Sequence, residues 1–325
     1  MRSLRHAFLA CAVVAGSAGS ALATDKLVVV ASFSILGDLV ANVGGEHVTV
    51  ETLVGPDGDA HVFEPSPNAA ASVSKADLVV VNGLGFEGWL DRLVEASGYS
   101  GPVAVASKDA RLISPHSDEG DHDEASHDDE AHEESGGHSD DHAGHRREGD
   151  YDPHAWQSAQ NAITYVGNIA EALCSADAGN CSSYRANATA YTESLHALDD
   201  AIKAAFASIP EERRNVITTH DAFAYFGDAY GIQFVAPQGV STESGASAAD
   251  VAALINQIRE EGTTALFVES ISDPRLIEQI GRETGVAPGG ALYSDALSGP
   301  GGPASTYLDM MRHNSALLQA AMQRS

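Results

Sequence analysis

Two apolar patterns alternate along the chain. Continuous runs rich in Val and Leu, such as residues 27–32 and 78–81, are typical of strands buried on both faces of a parallel sheet. Between them, residues 35–43 have apolar positions at helical spacing, and the Gly44-Gly45 pair is typical of a helix end. The predicted strands cover residues 27–32, 48–54, 78–81, 103–106, 215–219, 232–235, 265–269 and 291–293. Strands and helices that alternate at these lengths predict an α/β fold with parallel sheets and helices on both faces.

The N-terminus is typical of a secretory signal peptide. A short basic region with Arg2 and Arg5 precedes an apolar run over residues 7–15, and small residues fit a cleavage site after Ala23. That run is too short to cross a bilayer, and no other run approaches about 18 apolar residues. A lipoprotein would need Cys11 as its acylated residue, and the sequence before this cysteine is a poor match. We therefore expect an exported, soluble protein of the periplasm.

One helical stretch is much longer than the others. In residues 182–208 the apolar positions recur at intervals of three, four or seven, and Pro210 follows the end. Such a helix would be roughly 40 Å long and could act as a rigid strut between two α/β halves. The mature chain of roughly 300 residues is also longer than one core usually supports. We expect an N-terminal lobe over residues 24–180, a linking helix over 181–209 and a C-terminal lobe over 210–325.

Residues 116–145 contain many acidic side chains and almost no apolar ones. Such a segment cannot bury enough surface to offset its ordering entropy, so we expect a disordered loop over residues 115–150. Imidazole and carboxylate groups are good ligands for Zn²⁺, which makes the loop a candidate for weak zinc binding. The alternative is a solvated acidic tether whose metal binding is incidental. Its histidines are His116, His122, His127, His132, His138, His142 and His145.

The charge of the chain argues against nucleic-acid binding. The formal net charge is −28, and residues 116–150 contribute −12 of it, from 14 acidic residues against two arginines. The remainder is still acidic, whereas phosphate groups require a basic face.

Two cysteines follow the signal peptide, Cys174 and Cys181. Their spacing matches no common zinc-binding pattern, and an even pair in an exported protein is typical of a disulfide. The disulfide would join two helices around a turn at residues 177–180. Two free thiols are the alternative.

Four potential metal ligands fall where open α/β sheets bind their ligands, beyond the carboxyl ends of strands. His61 follows the second predicted strand, and His154 follows the acidic segment. His220 and Asp295 each lie at the end of a later strand. Two residues come from each half, which suits a cleft between lobes. Each also has a simpler interpretation, since a lone histidine is more often a hydrogen-bonded structural residue and Asp295 could cap a turn.

Two acidic residues near these positions are candidates for supporting roles. Asp221 could cap the helix that follows it and orient His220. Glu64 is the nearby carboxylate that a metallohydrolase would need as a general base.

Five segments of the chain resemble the metal-binding solute-binding proteins of ABC importers, the zinc and manganese group called cluster A-I. They are the His61 segment with Glu64-Pro65, Asp-Pro-His-x-Trp of 152–156, Thr-His-Asp-Ala-Phe-x-Tyr-Phe of 219–226, Phe-Val-Glu of 267–269 and Tyr-x-Asp-x-Leu of 293–297. The resemblance implies two parallel-sheet lobes bridged by one long rigid helix, with a metal site in the interlobe cleft. It also implies an ABC permease of the inner membrane as partner and no reaction on a substrate. A periplasmic metal donor protein is a further candidate partner, and a monomer is expected.

In that family, the first, second and fourth ligands correspond to His61, His154 and Asp295. The third ligand is a carboxylate in members that resemble manganese carriers and a histidine in zinc members, and here it is His220. Three neutral imidazoles with one carboxylate suit tetrahedral Zn²⁺, whereas Mn²⁺ prefers more oxygen ligands. The resemblance therefore predicts a high-affinity zinc-binding protein that delivers Zn²⁺ to an ABC permease.

Two other functions compete with this prediction. A manganese or iron carrier of the same fold is the first alternative. A zinc metallohydrolase is the second, and it would need an open coordination position that four protein ligands would close. The sequence also contains no His-Glu-x-x-His motif.

Overall fold

The computed structural model of the chain describes residues 26–114, 151–262 and 265–324. The predicted signal peptide at residues 1–23 and the histidine-rich residues 116–145 lie outside the described residues. Within the described ranges, no helix combines the length and the apolar character needed to cross a membrane.

Each lobe is built on parallel strands. Those of the first lobe are β1 (Leu27–Phe33), β2 (Val48–Val54), β3 (Leu78–Val81) and β4 (Val103–Val105). Those of the second lobe are β5 (Asn215–Ile217), β6 (Gln233–Val235), β7 (Ala265–Leu266), β8 (Val268–Glu269) and β9 (Ala291–Leu292).

Helices connect these strands and cover the sheets. The first lobe contains α1 (Ser34–Gly44), α2 (Pro67–Val73), α3 (Leu90–Ser97) and α4 (Ala159–Ala176). The linking helix is α5 (Cys181–Ala207). The second lobe contains α6 (Ala224–Tyr230), α7 (Ala248–Glu261), α8 (Arg275–Thr284) and α9 (Tyr307–Arg324).

Several helix ends follow from local sequence signals. The Ser66 side chain accepts the backbone N–H of Ala69 at the start of α2, where Pro67 occupies the first turn. Ser247 forms a capping box with the acidic residue three positions later at the start of α7. Gly231 ends α6 with φ of 69°, a left-handed conformation that glycine adopts without steric cost.

Both sheets have the same strand order. The first sheet runs β2-β1-β3-β4, and residues 29–31 of β1 pair with residues 78–80 of β3. The second runs β6-β5-β7, and β8 continues β7 and pairs with β9. Only Phe267 separates β7 from β8, and its N–H donates to the Ile217 carbonyl of β5 at 2.9 Å. All recorded pairings are parallel, so the predicted α/β class is confirmed.

The long helix predicted between the lobes is α5, which has 27 residues and begins and ends one residue earlier than expected. It packs against α1 and α4 of the first lobe and against α6 and α9 of the second. Tyr184, Leu195 and Phe206 are among its buried residues. A disulfide joins Cys174 near the end of α4 to Cys181, the first residue of α5. The buried face of the linking helix is therefore part of the packed cores of both lobes.

Candidate metal centre

Four side chains meet in the cleft between the lobes, and one donor atom of each lies within 4.8 Å of the others. His61 comes from the loop after β2, and His154 from the segment that leads into α4. His220 follows β5 and Asp295 follows β9. The three residues other than His61 are completely buried, and His61 is 7% exposed. The structure thus brings together all four of the predicted ligands, two from each lobe.

The donor atoms lie at separations that suit one shared cation. His61 Nε2 lies 3.3 Å from His154 Nε2 and 3.3 Å from Asp295 Oδ2. Asp295 Oδ2 lies 3.2 Å from His220 Nε2, and Asp295 Oδ1 lies 3.6 Å from His154 Nε2. A tetrahedral ion with bonds of about 2.0–2.1 Å would separate neighbouring ligand atoms by about 3.3 Å. The buried Asp295 oxygens make no hydrogen bond of ordinary geometry with the described residues, a deficit that a cation would remove.

A buried carboxylate lies behind two of the imidazoles. Asp152 Oδ1 lies 2.7 Å from His154 Nδ1 and accepts the backbone N–H of the same histidine at 2.8 Å. Glu269 Oε2 lies 2.6 Å from His220 Nδ1, and its Oε1 accepts the backbone N–H groups of Thr219 and His220 at 2.8 Å. A carboxylate at Nδ1 favours the tautomer that carries its proton there, which leaves Nε2 free to bind a metal.

The sequence suggested two other acidic residues, Asp221 and Glu64, for supporting roles. Asp221 lies beside His220, and its backbone N–H donates to the carbonyls of Gln238 and Gly239. Glu64 is exposed to solvent. The supporting roles of Asp221 and Glu64 stay predictions.

Sequence reasoning missed the roles of Asp152 and Glu269. A local signal for Asp152 was available, because an aspartate two residues before a histidine can bond both its backbone and its ring. Glu269 is 49 residues from His220, and only the pairing of the second sheet brings the two together.

The charges in the cluster shift its protonation equilibria. Burial by itself lowers the pKa of His220, but the carboxylates of Glu269 and Asp295 outweigh it and hold the pKa well above its ordinary value. The pKa of His154 is likewise raised, because Asp295 and Asp152 outweigh burial. Burial alone would raise the pKa of Asp295, but the two neighbouring imidazoles hold it well below its ordinary value. The metal-free cleft therefore favours the protonated forms of His154 and His220 and the ionised form of Asp295.

Buried bonds across the cleft fix the segments that carry His154 and Asp295. The Ser294 carbonyl accepts from Trp156 Nε1 at 2.9 Å and from Gln157 Nε2 at 2.7 Å. Phe86 packs edge-on against the His61 ring and against Trp156, with ring centroids 4.7 and 4.8 Å apart. This aromatic layer limits the access of water and strengthens the electrostatic interactions within the cluster.

A family model described as "ZnuA: Zinc-uptake complex component A periplasmic" matches residues 29–321. The chain belongs to this family. Its members are metal-binding solute-binding proteins of ABC transporters, which work with a membrane permease and an ATPase and are not enzymes. The predicted recognition is confirmed at this level, and the metal-binding role of the family agrees with the cluster of three histidines and one aspartate.

Individual relatives are named for different metals. The manganese-binding lipoprotein MntA of Halalkalibacterium halodurans is 32% identical over 308 residues, which cover 95% of this chain and 92% of the relative. The iron-binding protein YfeA of Yersinia pestis is 31% identical over 290 residues, 88% of this chain and 83% of the relative. Among solved structures, the periplasmic zinc-binding protein TroA from Treponema pallidum matches with a TM-score of 0.78 at 28% identity, covering 91% of this chain and 99% of that one. Similarity to these proteins therefore does not select one metal.

Proposed function

We propose that the chain is a periplasmic zinc-binding protein that delivers Zn²⁺ to an ABC permease. The observation that carries the proposal is the donor set of the cleft, in which His61, His154, His220 and Asp295 place three imidazole nitrogens and one carboxylate within 4.8 Å. Three neutral nitrogens and one carboxylate match the small coordination number and the ligand preference of Zn²⁺.

The charge balance also supports a dication as cargo. Asp152, Glu269 and Asp295 are buried carboxylates in contact with the imidazoles of the cluster. With neutral imidazoles the three carboxylates would carry three uncompensated negative charges in a buried site, which is unfavourable. A divalent cation bound to the imidazoles and Asp295 would compensate most of that charge.

A manganese or iron carrier is the second candidate, and the names of the relatives favour it. MntA is named for manganese and YfeA for iron. Against this candidate stands the small number of oxygen donors, because Mn²⁺ prefers oxygen ligands and a higher coordination number. The metal must be decided by direct competition between ions.

The histidine-rich residues 116–145 form a separate part of the proposal. We assign them weak binding of additional zinc, because their imidazoles and carboxylates are suitable ligands. The role of this segment can be tested by deletion without disturbing the cleft, because a hydrogen bond joins the residues that flank it. The Asp152 N–H donates to the Ile113 carbonyl at 2.9 Å. A deletion of 116–145 therefore keeps both attachment points next to each other.

The experiment is a competitive titration of the mature protein with Zn²⁺ and Mn²⁺, using a chelating dye. The wild type is compared with the variant lacking residues 116–145 and with His220→Ala. We expect one tight zinc that survives the deletion, is lost in His220→Ala and is preferred over Mn²⁺. Loss of tight zinc in the deletion variant would contradict the cleft as the principal site, and preference for Mn²⁺ would favour the second candidate.

A further inference from the structure

One of the four proposed ligands is held differently from the others. His154, His220 and Asp295 are fully buried, whereas His61 is buried but keeps 7% exposure. His61 belongs to a stretch without helix or strand between β2 and α2. Of the four proposed ligands, His61 is therefore the one that solvent reaches most.

The Asp59 carboxylate connects this stretch to the opposite lobe. Its Oδ1 accepts the backbone N–H of His61 at 2.9 Å. Its Oδ2 accepts the hydroxyl of Thr242 at 2.6 Å, from a residue 183 positions away in the second lobe. One side chain thus holds the backbone of a ligand and reaches across the cleft. Hydrogen bonds to a charged acceptor are stronger than those between neutral groups.

On the second lobe, the segment that carries Thr242 is tied to another ligand. Gln238, four residues earlier, forms an isolated parallel bridge with His220. The Gln238 carbonyl also accepts the N–H of Asp221 at 3.2 Å. The bond between Asp59 and Thr242 therefore links the backbone around one histidine ligand to the backbone around another, across the cleft.

A surface cavity opens at this bond. It has a volume of about 510 Å³, and its lining includes Asp59, Thr242, Gln238 and Thr219. Asp59 and Thr242 are both half-buried, so solvent reaches them directly. Thr219 is the neighbour of His220 in sequence. The cavity thus leads from solvent to the bond that closes the cleft over His61.

We propose that Asp59 and Thr242 form a latch that keeps His61 on the bound metal and limits the rate at which the metal leaves. This inference rests on the proposed function of the cleft as a metal site. Asp59 is a positioning residue, because it acts on the metal through the backbone of His61. Separation of the lobes breaks the bond to Thr242 and leaves Asp59 attached to its own lobe alone. Contacts of this kind act mainly on dissociation rather than on association.

The test uses full-length mature protein loaded with one equivalent of Zn²⁺ and measures zinc dissociation by stopped-flow mixing with a chelator. Thr242→Val removes the hydroxyl and keeps the shape of the side chain, and we expect roughly tenfold faster dissociation, the size of one hydrogen bond to a charged group. Thr242→Ser restores the hydroxyl and should dissociate at nearly the wild-type rate. Asp59→Ala removes both acceptors and should dissociate at least as fast as Thr242→Val.

Thr189→Val is the matched control, because the Thr189 hydroxyl bonds only the Arg185 carbonyl within α5 among the described residues, far from the cleft in sequence. Its dissociation rate should equal that of the wild type. The visible spectrum of bound Co²⁺ should be the same in Thr242→Val and wild type, since the four ligands are unchanged. A merely structural role would alter this spectrum and would not be rescued by serine.

Two results would overturn the latch. The first is a wild-type rate in Thr242→Val, and the second is a rate in Thr242→Ser as fast as that in the valine variant. Failure of the cleft itself gives a different result: the wild type would then hold no zinc that His220→Ala loses, and both proposals would be rejected. A tight, His220-dependent zinc whose release ignores Thr242 would reject the latch alone.

Discussion

Two sets of hydrogen bonds join the lobes around the proposed metal site, and they differ in burial. At the base of the cleft, Trp156 and Gln157 donate to the Ser294 carbonyl, and all three residues are buried. At the mouth, the half-buried Asp59 and Thr242 share one hydrogen bond beside an open cavity. The base holds the segments of His154 and Asp295, whereas the mouth holds that of His61.

The difference in burial indicates that the two sets of bonds have different roles. Buried hydrogen bonds are costly to break without replacement, so the ligands at the base are held in place before the metal arrives. A half-buried bond can be replaced by water at a lower cost than a fully buried one, so the ligand at the mouth is the one that can move. A carrier needs both properties, because it must bind its ion tightly and still release it. The following predictions test this contrast, in order of decreasing effect on zinc affinity.

Loss of a ligand at the base should have the largest effect. His220→Ala removes one of the four donors and leaves the buried Glu269 carboxylate, whose Oε2 lies 2.6 Å from His220 Nδ1, without its imidazole partner.

 We expect zinc affinity to fall more than about a hundredfold, beyond the effect of losing an outer partner. His196→Ala is the control, since His196 is exposed on α5. Competitive titration measures both variants, and a tight zinc retained in His220→Ala would contradict the assignment of this ligand.

Loss of a carboxylate behind an imidazole should have an intermediate effect. Glu269→Gln and Asp152→Asn keep the shape of each side chain and remove the charge next to His220 and His154. We expect zinc affinity to fall about ten- to hundredfold in each variant. Glu171→Gln serves as the control, because Glu171 lies on the surface and pairs with Arg185. If both buried variants bound zinc as tightly as the control, the carboxylates would have no part in tuning the site.

Acid should weaken zinc binding, and the loss should begin at a pH above the ordinary imidazole pKa of about 6.5. Protons compete with the metal for His154 and His220, and the pKa values of both are raised in the folded protein. Calorimetric titration in buffers of different ionisation enthalpy should show protons released on zinc binding at pH 7. Binding without proton release at this pH would contradict the raised pKa values.

The stability of the metal-free protein should respond to pH in the opposite direction. A histidine whose pKa is raised on folding contributes stability that is fully present below the unfolded value of about 6.5 and is lost as the pH rises through the folded value. The free energy of unfolding of the metal-free protein should therefore fall as the pH rises above about 6.5, the range in which zinc affinity increases. Denaturant unfolding at a series of pH values measures this change, and a rise in stability over that window would contradict it.

The disulfide should have the smallest effect on zinc. Cys174 and Cys181 close a loop with a sequence separation of 7 at the start of α5, away from the four ligands in sequence. The double serine variant should lower the free energy of unfolding by about 2–3 kcal/mol through the entropy of the unfolded chain. Its zinc affinity should equal that of the wild type. A weaker zinc site in this variant would show that the joint between α4 and α5 controls the cleft.

Much of the fold could be predicted from the sequence, because local patterns decide it. The runs at β1 and β3 and the apolar spacing of α5 each require one kind of element, and the structure contains all three. The positions of His61, His220 and Asp295 after strands also followed from the alternation of strands and helices, whereas the resemblance of its Asp-Pro-His-x-Trp segment singled out His154. The interruption at Phe267 between β7 and β8 was not foreseen, since residues 265–268 form one apolar run.

The supporting contacts could not be predicted in the same way. Glu269 reaches His220 across 49 residues, and Thr242 reaches Asp59 across 183. Their partners depend on strand order and on the packing of the two lobes, which no local spacing encodes. The sequence favoured Asp221 because it is adjacent to His220, whereas the folded chain places Glu269 against the ring.

The most direct test is anomalous diffraction at the zinc absorption edge from crystals of the mature protein loaded with one equivalent of Zn²⁺. We predict one strong peak within about 2.0–2.2 Å of His61 Nε2, His154 Nε2, His220 Nε2 and an Asp295 oxygen. A peak bound elsewhere, or one that lacks any of the three imidazoles, would contradict the proposed site.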